Sequence, residues 1–302
     1  MADRLANRRT RFLIESLALE RPMHIVDVGA NPFGARPDYD PLLSHGSAQL
    51  WGFEPNEKAF AELASLKDES RTYLPYAVGA PGKARFYSHK ISTLSSLYKF
   101  RRAAADFMGK GHWYKREITE IEVDLVSLDD VDEIPSIDLL KMDVQGAELD
   151  VLKGGRTKLT EAIAVIPEVA FYQIYEGQPM LRDVDAELHE QGFVLHKILF
   201  QKPALLPSSQ RKQLHPRLAA SQSIDGDAVY IRNLEDKEAV STEALKRLAL
   251  AADTVFKSFD LCLMCLDELV RREAVERRLP RVYVRKLPEE LRIMKPAVEA
   301  SS

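Results

Sequence analysis

Short apolar runs bounded by glycine or proline recur through the first two-thirds of the chain. Several of them end in an acid. Ile137–Met142 is such a run, with Pro135 before it and Asp143 and Gly146 after it. Runs of this length beside breakers read as buried strands. Ala147–Lys153 then consists mostly of helix formers, with Leu149 and Leu152 three apart on one face, and Gly154-Gly155 stops it. Strand, carboxylate, tight turn and helix follow one another within a few residues. In open α/β sheets a strand tip is where ligands meet the protein, so Asp143 is the first candidate for chemistry.

The same reading applies upstream. His24–Ala30 is a strand with Asp27 near its end, followed by a turn over Asn31-Pro32-Phe33-Gly34. Ala48–Pro55 is a second strand, ending in Glu54, and Asn56 caps a helix over Glu57–Leu66. Arg71–Val78 is a third strand, closed by Gly79 and Pro81-Gly82. The alternation of strand and helix predicts parallel strands joined by right-handed crossovers. It breaks after residue 83. Ala84–Lys90 reads as an edge strand or hairpin arm, and Ile91–Lys115 mixes hydroxyl, basic and aromatic residues. Ile118–Leu125 alternates as a strand with one wet face. This insertion, residues 83–126, is expected to cover the ligand side.

Ile163–Phe171 is a further buried strand, bent by Pro167 and carrying Glu168 near its tip. A helix over Leu181–Gln191, a strand over Phe193–Phe200, a loop over Lys202–Ser223 and a last strand over Asp227–Arg232 complete a unit spanning residues 23–234. The flanks differ in texture. Residues 1–22 read as a surface helix. Residues 241–279 read as helices whose apolar stripes must pack on the sheet unit or on a second copy, which makes a homodimer through them an expectation. Residues 280–302 read as a charged, partly extended tail.

Composition narrows the class. The chain has 302 residues, 45% hydrophobic and 29% charged, with a formal net charge of −4. That profile suits a globular protein, and the charge gives no bulk attraction for nucleic acid. No apolar run is long enough for a membrane span. The only cysteines, Cys262 and Cys265, exclude a disulfide framework and read as small buried hydrophobes, so a cytoplasmic setting is expected.

Three strand tips therefore present acids: Asp27, Glu54 and Asp143. Glu54 lies 20 residues beyond Gly34, the spacing at which an acid takes the hydroxyls of a ribose. The dinucleotide fingerprint G-x-G-x-x-G is absent, and Asp27 before the glycine turn would repel a diphosphate. It suits the ammonium end of a sulfonium amino acid. Two other readings stay open on these residues: a nicotinamide-dependent sugar oxidoreductase, and a non-catalytic module that keeps the fold for binding or assembly.

Taken together, VDVGAN, GFEPN, YAVG, SSL, IDLLKMDVQGAELDVLKGG and PEVAFYQIYEG resemble the FkbM family of S-adenosylmethionine-dependent methyltransferases, from about Ile25 to Ile231. The most specific piece is Leu140–Glu148, which follows LK-x-D-x-[EQ]-G-x-E with Gln145 where glutamate is common. The resemblance implies an α/β, Rossmann-like class I fold, with a mostly parallel twisted sheet flanked by helices. It implies S-adenosylmethionine contacts from Asp27, Gly29, Ala30, Asn31, Glu54, Pro55, Ala77, Val78 and Asp143. It also implies methylation of a hydroxyl on a small molecule or glycan, with Asp143, Glu168 and Glu148 on the catalytic side. No metal is expected. His89 and His112 are weighed as bases and read as surface residues. Tyr98, Trp113 and Tyr114 suit either stacking on a sugar or packing of the insertion on the sheet.

Overall fold

The computed structural model describes residues 2–31 and 36–293; the turn expected over Pro32-Phe33-Gly34 lies outside them. In chain order the elements are α1 (Ala2–Leu17), β1 (Met23–Val28), α2 (Asp40–Ser44), β2 (Ala48–Phe53), α3 (Glu57–Ser65), β3 (Arg71–Leu74), β4 (Ala77–Val78) and β5 (Gly82–His89). Then come α4 (Arg102–Phe107), α5 (His112–Lys115), β6 (Ile118–Val126), β7 (Leu139–Met142), α6 (Glu148–Lys153), β8 (Ala164–Ala170), α7 (Leu181–Glu190), β9 (Phe193–Ala204) and β10 (Gln222–Arg232). The chain closes with α8 (Thr242–Thr254), α9 (Phe259–Arg271) and α10 (Leu279–Lys286). Two compact units result: all ten strands with α3–α7 form one, and α1, α2 and α8–α10 form the other.

The strand unit holds a seven-stranded sheet in the order β3-β2-β1-β7-β8-β10-β9, parallel except for β10, which runs antiparallel to both neighbours. The order reverses between β1 and β7, the switch point beside which open α/β sheets bind ligands. Every residue of β1 is buried, as a strand covered on both faces requires. Leu140, Met142, Val165, Val169, Val151, Leu152, Val184 and Leu188 join one core from β7, β8, α6 and α7. The Asn56 side chain caps α3 by accepting from the Ala59 amide at 3.0 Å.

The third expected strand divides at Pro75. Arg71–Leu74 joins the main sheet, and Ala77–Val78 leaves it for a three-stranded sheet in the order β4-β6-β5. The segment expected as a loop over Lys202–Ser223 is ladder at both ends, since Gln222 still pairs with Ala204. Two short helices, α4 and α5, occupy the segment that the sequence leaves without an element.

In the helical unit the apolar stripes of α8 and α9 are buried within this chain. Leu245, Leu248, Ala249, Leu266 and Leu269 are all 1% exposed or less, as are Cys262 and Cys265. The two helices pack on each other, α1 packs on α8, and α10 packs on α9. Part of the expected tail is therefore helix: Leu279 and Tyr283, one turn apart, face inward. Tyr283 donates to Asp253 at 2.8 Å, and Asp253 also takes the buried Arg9 guanidinium at 2.6 Å. No helix among the described residues is long and apolar enough to cross a membrane.

One local device shapes the tip of β7. The turn from Asp143 to Glu148 contains two residues with positive φ, Gln145 at 53° and Gly146 at 109°. The buried Glu148 carboxylate straps it, accepting from the amides of Val144 at 3.0 Å and Gly146 at 2.9 Å. Burial pushes the Glu148 carboxyl up to about 7, although those amides oppose the shift. The folded state thus holds a proton that the unfolded chain releases nearer 4.5, so stability falls as pH rises between the two values. The whole effect is on the order of 3 kcal/mol. Thermal melts at pH 5 and pH 8 check this: Glu148→Gln, already weakened at pH 5 by an amide facing an amide, loses less over the interval than the wild type. Equal losses would show that Glu148 is ionised throughout.

Candidate active site

The tips of β1, β2 and β7 and the small sheet enclose a cavity of about 530 Å³, within the range of about 300–1,000 Å³ usual for small-molecule sites. Gly29, Asn31, Glu54, Pro55, Ala77, Val78 and Asp143 line it. The insertion closes its other side with Phe86, Ser95, Leu97, Ile121 and Val123. Gly29 makes the close approach at the floor possible. Its φ is +88°, and a Cβ there would lie 2.2 Å from the Asp143 carbonyl oxygen. The amides of Gly29 and Ala30 both donate to the Phe53 carbonyl, at 3.0 and 2.9 Å, which ties the β1 turn to β2.

Glu54 sits at the end of β2, half-buried, and burial raises its carboxyl above the ordinary value. Its Oε1 accepts from the Asn56 amide at 2.8 Å. Apolar walls, a carboxylate and backbone at close range suit a nucleoside carrying an amino-acid arm, so the residues present fit S-adenosylmethionine. Glu54, Gly29, Asn31, Pro55, Ala77 and Val78 line the wall and are the residues that would hold it.

Asp27 does not line the cavity. It is 5% exposed, and the register of β1 on β7 sets it beside Lys141. Burial pulls the Lys141 ammonium down, but Asp27, Asp143, Asp227 and Glu168 outweigh it and hold the group above its ordinary value. Asp27 thus serves the charge balance under the site. Ala30 is likewise off the wall and contributes its amide.

The central arrangement is at Gln145. Its Nε2 donates to Asp143 Oδ1 at 2.7 Å and to Glu168 Oε2 at 2.8 Å. The backbone that aims this amide is held from the insertion: Ser96 Oγ donates to the Gln145 carbonyl at 2.6 Å. The Tyr175 hydroxyl lies 3.3 Å from the Leu94 carbonyl and 3.5 Å from Gln145 Oε1. Glu168 is held well above the usual carboxylate range, first by burial and then by Asp143, Asp225 and Glu148, with Lys202 opposing. Lys202 donates to Asp225 at 3.1 Å. Of the three acids on the expected catalytic side, Asp143 and Glu168 meet across Gln145, whereas Glu148 is turned into its own turn. Gln145 stands out in the sequence only as a departure from a pattern. Its left-handed backbone and its two partners are tertiary facts that no local signal announces. Among the described residues no three His, Cys, Asp or Glu side chains converge as a metal site.

The histidine and aromatic candidates resolve differently. His89 is buried, not on the surface. Its Nε2 faces the Trp113 carbonyl at 2.7 Å and its Nδ1 accepts from the Ile91 amide at 2.9 Å, which leaves neither nitrogen for a substrate. His112 is exposed. Trp113 packs in an apolar cluster with Phe100, Met108 and Tyr175, and Tyr98 covers Gly146. Tyr114 donates to Asp106 at 2.6 Å.

The family model described as "Methyltransferase FkbM domain" matches residues 27–195. The 2-O-methyltransferase NoeI of Sinorhizobium fredii (strain NBRC 101917 / NGR234) is 29% identical over 176 residues, which is 55% of this chain and 71% of that protein. A solved FkbM methyltransferase from Methylobacillus flagellatus KT aligns at 14% identity and TM-score 0.40, over 72% of this chain and 50% of that one. Magnesium protoporphyrin IX methyltransferase from Synechocystis PCC 6803 aligns at 12% identity and TM-score 0.37, over 76% of this chain and 78% of that one. The structural likenesses are distant and add nothing to the strand order already described. The family match spans more than half of the chain and coincides with the cavity and its floor: the chain belongs to the FkbM methyltransferase family and is an S-adenosylmethionine-dependent methyltransferase.

Proposed function

We propose that this enzyme methylates a hydroxyl oxygen of a sugar, glycan or secondary metabolite, with Asp143 receiving the acceptor. The observation that carries the reading is the placement of Asp143 at the tip of β7, on the cavity wall and fixed through Gln145 to Glu168. The 2-O-methyltransferase name of the NoeI relative supports an oxygen acceptor. Bound S-adenosylmethionine supplies a methyl group on a positively charged sulfur, so the leaving group is neutral and needs no acid.

The chain's own residues supply alignment and proton handling. Asp143 orients the acceptor hydroxyl and accepts its proton. Gln145 keeps Asp143 from swinging away, because one amide nitrogen binds two carboxylates at once. Glu168, with its raised affinity for a proton, completes the acceptor side. Glu54 takes the two ribose hydroxyls, as a carboxylate does well with a vicinal diol.

Three variants test this, with calorimetry on S-adenosylhomocysteine reporting the cofactor half separately. Glu54→Ala weakens that binding by about tenfold or more, the loss of hydrogen bonds to a charged group worth about 1.5–3 kcal/mol. An unchanged isotherm removes Glu54 from the cofactor site. Asp143→Asn binds S-adenosylhomocysteine as the wild type does and loses about 10²–10⁴ in kcat. Full turnover would remove Asp143 from the proton step. Gln145→Glu puts a third carboxylate against two others, which raises the proton affinity of the group. The acid limb of its pH–rate profile therefore moves to higher pH, and the rate lost near neutrality returns as pH rises. A profile superimposable on the wild type would reduce Gln145 to packing.

A further inference from the structure

The methyl-transfer machinery uses none of the basic residues that crowd one end of the sheet. Residues 101–116 contain five Lys or Arg and a single acid, and residues 205–223 contain three and none, in a chain that has 42 basic to 46 acidic residues overall. In the first segment Arg101, Arg102, Lys110, Lys115 and Arg116 form no ion pair with a carboxylate among the described residues. The same holds for Arg211, Lys212 and Arg217 in the second. Elsewhere in the unit such pairs are common, as in Lys83–Glu122, Arg85–Glu120 and Arg156–Glu187. The lone acid, Asp106, is engaged by the Tyr114 hydroxyl.

Topology places both segments at the acceptor end. Because β10 runs antiparallel to β8, Asp225 lies opposite Ala170, and the β9–β10 connection leaves the sheet at the same end as Glu168. The 101–116 segment starts beside Phe100, which bridges to Tyr175, and it packs Met108 and Trp113 against Ala204 and Ile224. The two segments also touch: a Cβ on Gly109 would lie 2.7 Å from Arg211 Nη1. Cations of the first segment are held over rings, with Arg102 5.7 Å from the centre of Tyr114 and Lys110 5.9 Å from that of Trp113. Phe107, 48% exposed, stacks on Tyr172 just beyond the end of β8. His112 feels the surplus: burial, then Lys110 and Arg116, pull its imidazole below the ordinary value.

We propose that this rim recognises an anionic acceptor, a saccharide bearing sulfate, phosphate or carboxylate groups, and presents its hydroxyl to Asp143. The inference rests on the hydroxyl-methylation reading and narrows its substrate class. Guanidinium groups match oxyanions with two parallel hydrogen bonds, and cations without carboxylate partners gathered at the Glu168 end of the sheet, outside the cavity wall itself, raise the local concentration of anions there. The exposed Phe107 ring beside them suits the apolar face of a sugar.

The test is calorimetry on the full chain saturated with S-adenosylhomocysteine, using a heparin-derived tetrasaccharide, a carboxylate-only galacturonate tetramer, a sugar phosphate and neutral chitotetraose. The anionic probes bind at least about tenfold more tightly than chitotetraose and weaken as salt rises from about 50 to 200 mM, as screened surface charge requires. Which of them binds best identifies the anion. The triple variant Arg211→Glu, Lys212→Glu, Arg217→Glu loses about tenfold or more of that affinity, roughly 1.4 kcal/mol or more, with its S-adenosylhomocysteine isotherm and Tm unchanged. Equal affinity for chitotetraose, or no loss in the triple variant, overturns the proposal. So does tighter binding to phosphatidylglycerol vesicles or to an oligothymidine, which assigns the rim to a membrane or a nucleic acid. Binding is read without turnover, so a failure of hydroxyl methylation in the Asp143→Asn comparison stays distinct from a failure of the rim.

Discussion

Two carboxylates brought to within reach of one nitrogen atom set the terms for the rest of the site. Asp143 and Glu168 come from neighbouring parallel strands, and Gln145 Nε2 gives each of them a hydrogen. A primary amide can do this without adding charge. An ammonium would add a cation, and a third carboxylate would add repulsion. Aiming the amide costs backbone strain, since a non-glycine residue at φ 53° is disfavoured and persists only where its surroundings enforce it. Those surroundings are specific: Ser96 binds the Gln145 carbonyl, Glu148 straps the amides on either side, and Gly146 continues the turn under Tyr98. The insertion is thus part of the catalytic floor as well as its cover.

Charge balance extends the same logic below the floor. Six acids, Asp27, Asp143, Glu148, Glu168, Asp225 and Asp227, feel one another there, with Lys141 and Lys202 as counterweights. The strand ladder fixes who meets whom: Lys141 is in register with Asp27, and Asp227 with Glu168. Two lysines do not neutralise six acids, so burial resolves the excess through protons, and the carboxyls of Glu148, Glu168, Asp225 and Asp227 all shift upward. A floor that stores protons beside Asp143, the proton acceptor proposed above, would tie catalysis to pH through its neighbours.

The parts of the fold written in the sequence are those set by local pattern. Apolar runs ending in an acid gave β1, β2, β7 and β8, and Asn56 capped α3 through its own side chain. What escaped is non-local. Pro75 parts one apolar stretch between two sheets, a choice made by the partners of Ala77 and Val78, Leu125 and Val126. The β9–β10 ladder runs past its apolar core because each strand supplies the other's hydrogen bonds, whatever the side chains. His89 reads as a surface histidine until the Trp113 carbonyl, 24 residues on, takes its ring. Asp27 is a strand-tip acid in both views, but only the register shows that it lies beside Lys141. The helix at Leu279 depends on Asp253 receiving Tyr283, a pairing across thirty residues.

The acidic floor at Asp143 and the basic segments at the Glu168 end of the sheet carry opposite charge, a contrast that bears on the acceptor proposed above. The floor is acidic, with more carboxylates than cations, and the two segments at that end of the sheet are basic without carboxylate partners among the described residues. An anionic group is repelled from Asp143 and Glu168 and attracted to Arg102, Arg211 and their neighbours, whereas a neutral hydroxyl finds acceptors at the floor. A molecule carrying both, as proposed above, would therefore be oriented before it makes a single close contact, hydroxyl inward and anion outward. On the proposed reading, a hydroxyl directed this way would meet a carboxylate that Gln145 already holds, and little of the ordering that methyl transfer demands would be left to the encounter itself.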